Sequence, residues 1–393
     1  MIPEIDLLSA IYLIGAAQGV FLVAALLDKK IANKQANRYL ALFLFIFTLS
    51  LFDEFLYQSL YFYEYPHLIG LIWPLDFLYG PLFYFYVREL TSTKPSLQHK
   101  KDIFHFILFF PGLLLAAPTW FLAPSQKITM LYGFAEGVTE VVIRANLFDG
   151  LATLFAVIQI AIYLWLSFRQ LRNYRQTIRQ QLSEIDKVNL SWLVSLLWLL
   201  FPLWILYIID IFFSSGLDIG DQAGMLLHII LVLIIYSMGY LGMRQPSVFK
   251  TEAASSYSAL TGTENITLER DKYSKSKLSN EDRAEIKTKL FAVMQEKKPY
   301  LENGITLPEL AEVVGCTSNN LSQVINDELG KSFFDFINEY RINHAKQQLL
   351  CSESGKTPIL QIAMDAGFNS KSAFYTAFRK EVGVTPSQYR KTT

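Results

Sequence analysis

Apolar positions divide the chain into two halves with different periods. Up to about residue 245 they run in long, nearly unbroken stretches, and beyond it they recur at helical spacing between polar positions. Seven stretches, roughly 7–27, 39–60, 68–88, 103–123, 149–168, 190–214 and 223–243, are long enough to cross a hydrocarbon core, which takes about 20 residues. Buried helices of a large soluble protein are the competing reading. The number of such runs, with Trp and Tyr near many ends, argues against it. Span 5 is expected to continue as a helix past the membrane, because FRQLRNYRQTIRQQL keeps Leu171, Ile178 and Leu182 along one face. That extension reads either as a solvated, basic anchor or as a short coiled-coil contact between two subunits.

Residues 246–278 are rich in Ser, Thr, Lys and Glu and have little period, which predicts a flexible tether. As a coil it would span roughly 30–35 Å. Helical spacing returns at Ser279, which with Asp282 resembles a capping box ahead of Ile286, Leu290, Val293 and Met294. Thr306 and Glu309 form a second such signature. Leu307, Leu310, Ala311 and Val314 follow, then Gly315-Cys316-Thr317, then a helix with Leu321, Val324 and Ile325. This spacing predicts a helix-turn-helix. Ser332 then caps a long helix carrying Phe333, Phe336, Ile337, Tyr340, Ala345 and Leu349.

A second helix-turn-helix is predicted over Thr357–Arg390. Thr357 is the expected N-cap, with Pro358 at the first helical position, and Ile359, Ile362, Ala363 and Ala366 make one apolar face. Gly367 is placed to take the left-handed conformation that stops a helix. Phe368 plugs the turn, and Asn369 or Ser370 caps a helix that buries Phe374 and Phe378. Gly383 ends that helix, and Thr385-Pro386 opens a last one that buries Tyr389. The two turn glycines lie 52 residues apart, so the motifs form an internal half-repeat.

Ile362-Ala363, Gly367-Phe368, Ser370, Ser372, Phe374, Phe378, Gly383, Thr385-Pro386, Tyr389 and Arg390 together resemble the C-terminal signature of the AraC/XylS family of bacterial transcription regulators. The resemblance extends over about 281–391. It implies two helix-turn-helix motifs on one rigid domain, joined by a linker helix, entering successive major grooves about 34 Å apart. Asn320 stands where many members of that family carry an aromatic residue. A helical hairpin without a nucleic-acid role is the alternative to DNA binding. The fold class expected for the whole is all-α: a seven-helix transmembrane domain over 1–245, the tether over 246–278, and a DNA-binding domain over 279–393.

The candidate DNA-reading residues are Ser318, Asn319, Asn320, Ser322, Gln323 and Asn326 in the first motif. In the second they are Ser370, Lys371, Ser372, Tyr375, Thr376 and Arg379. Residues 281–328 hold five basic and nine acidic side chains, and 329–393 hold nine basic and five acidic. Phosphate attraction therefore favours the second motif, whereas the first offers amide and hydroxyl groups suited to base edges. Lys380 and Arg390 read as phosphate contacts or as structural partners. Arg341 reads as a buried salt-bridge partner in the linker helix rather than a DNA contact.

Composition follows the same division. Hydrophobic residues make up 52% and charged residues only 18%, below the about 25% of soluble domains. The zero net charge is an average over unlike halves. Loop charges give a topology. Lys29, Lys30, Lys34, Arg38, Arg88, Lys94, Lys100, Lys101, Arg169, Arg172, Arg175, Arg179 and Lys187 fall in one set of loops. Only Lys127 and Arg144 fall in the other. Thirteen against two puts the N-terminus outside and the C-terminus in the cytoplasm; the family resemblance implies that the membrane is the cytoplasmic (inner) membrane of a bacterium.

Five ionisable residues lie within spans: Asp53, Glu54, Asp76, Asp210 and His228. Such residues are costly in lipid and mark function or interhelical hydrogen bonds. Together they outline a candidate outward-facing pocket for a small-molecule or ion signal, with the loop 124–148 as its lid. No metal and no cofactor is implied: Cys316 and Cys351 are isolated, span 7 has no lysine for a Schiff base, and His105 and His228 are at unmatched depth. HExxH, P-loop and GxSxG motifs are absent, which argues against an enzyme. The expected partners are double-stranded promoter DNA, the lipid bilayer, the signal, a second copy of the chain in a homodimer, and RNA polymerase. A membrane transporter or enzyme with a regulatory DNA-binding domain, and spans that only anchor, remain the alternatives.

Overall fold

The structure is a computed structural model. It describes residues 3–28, 34–92, 100–132, 139–213 apart from 187, parts of 229–241, 278–350 and 357–391. The described residues are helical, without a named strand. They form two compact units, Met1–Leu171 with Ser191–Ser247, and Arg172–Leu190 with Val248–Thr393. The tether 246–278 lies outside the described residues up to 277, as does most of the seventh predicted span, including His228.

In the first unit the helices are α1 (Leu7–Leu26), α2 (Lys34–Gln58), α3 (Asp76–Thr91), α4 (Phe109–Trp120), α5 (Pro124–Tyr132), α6 (Glu140–Gln181) and α7 (Ser191–Phe213). The last ten residues of α6 belong to the second unit. Asp6 caps α1 by accepting from the Ser9 amide at 2.8 Å. Among the described residues, five helical segments are long and apolar enough to cross a membrane: Leu7–Leu26, Lys34–Gln58, Pro66–Thr91, Asp102–Trp120 and Glu140–Gln181. Their surfaces carry exposed apolar side chains such as Phe21 and Leu114, and Phe121, just past the fourth segment, is 88% exposed. Lipid can cover such a surface, whereas water would penalise it. Small residues bring α1 and α2 together, and a side chain at Gly19 would collide with Thr48.

Two predicted spans are less regular than their hydropathy suggests. The first part of predicted span 3 is a pair of 3₁₀ turns, Pro66–Leu68 and Trp73–Leu75, around Gly70 in the left-handed region at φ 78°. The prolines favour these turns because they start a turn well but cannot donate within a helix. Span 4 begins as a 3₁₀ stretch, Lys100–Phe106, before α4. The expected outer loop 124–148 is largely helix: α5 fills its start, and α6 begins at Glu140, nine residues before the predicted span. Arg88, counted above as a loop charge, is held in place. It donates to both carboxylate oxygens of Asp102 at 3.0 and 2.8 Å and lies 4.6 Å from the Phe85 ring centre.

The second unit contains α8 (Asn280–Glu296), α9 (Leu307–Val314), α10 (Ser318–Gln323), α11 (Phe333–Leu350), α12 (Ile359–Asp365), α13 (Lys371–Val382) and α14 (Pro386–Lys391). Its interior is two clusters sharing α11. Phe333, Phe336 and Ile337 at the start of α11 join Leu290, Met294, Leu310, Leu321 and Val324. Ile342, Ala345 and Leu349 at its end join Ile362, Ala363, Phe374 and Phe378. The apolar side chains of α11 thus point to one cluster over its first turns and to the other over its last. With 18 residues, α11 is about 27 Å long.

Candidate nucleic-acid interface

Each motif is a short helix, a glycine turn and a second helix. Thr306 starts α9, its amide donating to Glu309 Oε2 at 2.7 Å. Gly315 ends it at φ 80°. Thr317 Oγ1 then accepts from the Asn320 amide at 3.2 Å to start α10. In the second motif Ile362 and Ala363 are fully buried on α12, Gly367 turns at φ 89°, and Ser370 Oγ caps α13 by accepting from the Ala373 amide at 3.1 Å. Gly383 ends α13 in the left-handed region. Thr385 and Gln388 cap α14 reciprocally, each amide donating to the other's side chain at 3.0 and 3.3 Å. Tyr389 packs edge-on against Phe378, with ring centres 5.5 Å apart.

Two expectations need correction. The helix α12 begins at Ile359, and Pro358 occupies the cap position with its carbonyl accepting from Gln361 and Ile362. Thr357 is therefore not the N-cap. The reading helix of the first motif does not continue as an α-helix through Ile325, because Val324–Glu328 form a π-helical turn.

The buried Arg341 ties the motifs together. It is 2% exposed on α11. Nε donates to the Tyr300 carbonyl at 2.7 Å and Nη2 to the Glu302 carbonyl at 2.9 Å, both ahead of the first motif. Its guanidinium also lies 5.6 Å from the ring centre of Phe368, in the turn of the second. Burial pulls its pKa down to about 10, against the pull of Glu184. The expected burial of Arg341 is seen, but where a salt bridge was expected its hydrogen bonds go to two carbonyls and the Ser183 hydroxyl. Gly367 sits against the same group: a Cβ there would stand 2.5 Å from the Tyr300 carbonyl oxygen and 3.0 Å from Arg341 Nε.

Among the candidate reading residues, Asn319, Lys371, Ser372, Thr376 and Arg379 are exposed. Ser318, Asn320, Ser322, Gln323, Asn326, Ser370 and Tyr375 are half-buried. Asn326 donates to Ser322 Oγ at 3.1 Å. Lys371 lies 5.4 Å from the ring centre of Tyr375, whose hydroxyl is 3.4 Å from Ser387 Oγ. Lys380 is a structural partner, donating to Asp335 Oδ1 at 2.8 Å. The chemistry is a row of amide and hydroxyl donors and acceptors in the first motif, and hydroxyls with two exposed cations in the second. Hydrogen bonding to base edges and charge neutralisation of phosphate both require such groups.

In the other unit, Asp53 and Glu54 line a cavity of about 270 Å³ with Tyr57, Phe62, Ile69, Gly70, Trp73 and Leu131. Asp53 accepts a hydrogen bond from Trp73, and Asp76 feels the charges of both acids. Asp76 begins α3 within the predicted third span and so lies at a helix N-terminus, where a carboxylate is favoured. The Asp210 side chain lies outside the described residues. Leu131 of α5 is the lining residue from the predicted lid, and Tyr132 beside it stacks on Tyr57 and Tyr63. Sequence reasoning missed the apolar lining, Phe62, Ile69 and Trp73. The Gly70 and Pro74 breaks in span 3 were the available signal.

A family model described as "Helix-turn-helix domain" matches residues 310–392. The melibiose operon regulatory protein of Escherichia coli (strain K12) is 37% identical over 90 residues, 23% of this chain and 29% of that protein. An uncharacterized HTH-type transcriptional regulator of Staphylococcus aureus (strain COL) is 35% identical over 91 residues, 23% of this chain and 12% of that one. Among solved structures, the C-terminal domain of AraT, a response regulator from Geobacillus stearothermophilus, is 31% identical, covering 30% of this chain and 89% of that one with a TM-score of 0.25. The chain thus spans between 12 and 29% of the length of these two curated relatives. The match and the regulator relatives support DNA-binding transcription regulation, and the C-terminal part of the chain is an AraC-type helix-turn-helix domain.

Proposed function

We propose that the chain is a membrane-embedded one-component transcription regulator. Its C-terminal motifs bind promoter DNA sequence-specifically, and a signal received by the membrane part controls that binding. The observation that carries the reading is the pair of helix-turn-helix motifs fixed to one helix by a shared core and by Arg341. Rigid spacing lets two reading helices address two major-groove segments on one face of the duplex. The residues assigned to the reading are Ser318, Asn319, Asn320, Ser322, Gln323 and Asn326, with Ser370, Lys371, Ser372, Tyr375, Thr376 and Arg379.

The apolar helices and the asymmetry of basic loops support a multi-pass protein in the bacterial cytoplasmic membrane, N-terminus out, with its DNA-binding part in the cytoplasm. Seven spans remain the count read from the sequence. The acid-lined cavity at Asp53 and Glu54 favours a sensor over a passive anchor. Dimerisation would join two half-sites and raise affinity through effective concentration, and RNA polymerase is the partner through which a bound promoter would be read.

The test is binding of the detergent-solubilised chain to the DNA upstream of its own and neighbouring genes, across a salt series. The expected result is tighter binding to one such segment than to competitor DNA, with affinity falling as salt rises. Equal affinity for all sequences at every salt would remove the reading. For the sensor, replacing Asp53 and Asp76 with Asn together should abolish the transcriptional response to the signal. An unchanged response would leave the spans as an anchor.

A further inference from the structure

The residues that follow α6, Leu182–Asp186 and then Val188–Leu190, reach the start of the second motif's second helix through Glu184 and Asp186. We propose that they act as an internal substitute for DNA phosphate, holding the second motif closed until the segment is displaced. The proposal rests on the DNA-binding reading above and adds how that site is regulated.

The anchoring comes first. Arg172–Leu190 belongs to the same compact unit as the helix-turn-helix motifs. Tyr174, Ile178, Leu182, Val188 and Leu190 are all buried, so the apolar face expected either in solvent or in a coiled coil is covered by the chain itself. Leu182 pairs with Thr306 in an antiparallel bridge, and the Ser183 amide donates to the Ile305 carbonyl at 3.3 Å. Tyr174 donates to the Val188 carbonyl at 2.8 Å, which folds the segment back on the end of α6. Arg179 donates to Asp335 of α11 at 3.0 Å, and Arg341 Nη2 lies 3.4 Å from Ser183 Oγ.

The tip of this anchored segment carries two carboxylates. Glu184 accepts a hydrogen bond from Asn369 Nδ2, and Asp186 Oδ2 accepts one from Ser370 Oγ at 3.0 Å. Asn369 and Ser370 are the two residues ahead of α13, and Ser370 is its N-cap. A helix N-terminus presents unpaired amides and the positive end of the helix dipole, so it attracts anions. In a helix-turn-helix the same end of the second helix meets the DNA. A phosphate oxygen would use the donors that Glu184 and Asp186 now occupy, and it carries the same charge. Segment and duplex therefore compete for one set of groups. The contacts at the tip are exposed, whereas those at the base are buried. The arrangement suits a tip that lifts while the base stays. Because the segment follows α6 without a break, a shift of that helix would pull the tip away.

The experiment uses the full chain in detergent and its preferred duplex at fixed salt. Glu184→Gln with Asp186→Asn removes the charge while keeping the shape. It should bind the duplex at least tenfold more tightly than wild type, with sequence preference kept. A matched charge change on α8, Glu281→Gln with Glu296→Gln, should stay within about threefold of wild type. A second arm joins the tip to its seat. In a background without Cys316 and Cys351, Glu184→Cys with Asn369→Cys is linked by a short bis-maleimide, and the linked protein should lose duplex binding while the unlinked form binds. Wild-type affinity in the charge-removed variant, an equal gain in the α8 control, or full binding by the linked protein would each overturn the proposal. If neither wild type nor variants prefer any duplex at any salt, the DNA-binding reading itself falls.

Discussion

The two helix-turn-helix motifs share one plan but are held differently. In the first, Gly315 turns in open space, and the reading helix gives way to a π turn after six residues. In the second, Gly367 is packed against the Tyr300 carbonyl and Arg341, and the reading helix runs twelve residues to a glycine stop. The first offers neutral hydrogen-bonding groups. The second carries Lys371 and Arg379, and its N-terminus is capped from outside by Glu184 and Asp186. Repeating a motif thus does not repeat its surroundings, since the turn of the first is open while that of the second is packed and its following helix is met by two carboxylates. The bonds of Arg341 to carbonyls ahead of the first motif, and its contact with the turn of the second, make the two a single mechanical body.

The most severe test of that single body is Arg341→Met. It keeps the aliphatic volume but leaves the Tyr300 and Glu302 carbonyls without their donor. Each unpaired buried group costs about 1–3 kcal/mol, so a loss of roughly 3–5 kcal/mol is expected. Denaturant unfolding followed by hydrogen exchange would report it. Protection should fall in α9 and α13 together. Loss confined to α13 would mean that the motifs fold independently.

Next in size is the contrast between the turn glycines. Gly315→Ala meets nothing within 4 Å and pays only for its left-handed backbone, about 1 kcal/mol. Gly367→Ala carries the same backbone cost and adds a clash with a carbonyl oxygen at 2.5 Å. It is expected to cost about 2–4 kcal/mol in total. Equal unfolding midpoints for the two variants would erase the distinction drawn between the turns.

These turns also mark how far local sequence reaches. Gly315, Gly367 and Gly383 are readable because a left-handed position at a helix end selects glycine. Ser279, Ser332 and Ser370 are readable because a hydroxyl one residue before a helix satisfies an orphan amide. The expected start of α12 misses by one residue because Thr357 and Pro358 each suit the position. The π turn at Val324–Glu328 leaves no sign, since its apolar residues fit an α-helical stripe equally well. The seat of Glu184 and Asp186 is invisible for a different reason. It pairs residues 184 to 185 positions apart, and no local period encodes such a pairing. The same holds for the cavity, where Asp53 and Glu54 stand out as charges in an apolar run, but Phe62, Ile69 and Trp73 look like ordinary lipid-facing residues.

A smaller effect separates the motifs by the kind of contact each makes. Arg379→Ala should cost about 1–3 kcal/mol at particular base pairs and little elsewhere. Asn320→Ala should relax preference at a different position in the site, one groove away. Lys391→Ala, at the exposed end of α14, should weaken all sequences alike and lower the salt slope by about one. Binding measured on a panel of single-base variants would resolve all three. A uniform loss from Arg379→Ala would make that residue a phosphate contact.

The smallest effect concerns Asp335, where α13 and the α6 extension meet. Lys380 donates to its Oδ1 from one side at 2.8 Å and Arg179 from the other at 3.0 Å. Burial pushes the Asp335 carboxyl up, but hydrogen bonds from Lys380 and Ser332 and the charge of Arg179 outweigh it, and its pKa falls below the usual 3.8. A carboxyl whose pKa is lower folded than unfolded stabilises the fold above its unfolded value, and that support is lost as pH falls through the folded value. The partners are 41% and 64% exposed, so solvent screening keeps the contribution to about 0.5–1 kcal/mol. Asp335→Asn should therefore be less stable than wild type by this amount at pH 7, and the difference should close below about pH 4. The same substitution loosens Arg179 and with it the base of the Leu182–Leu190 segment. Duplex binding should accordingly tighten slightly at pH 7, by less than the Glu184 and Asp186 changes produce. A variant with lower stability and weaker DNA binding would instead place Asp335 in service of the reading helix alone.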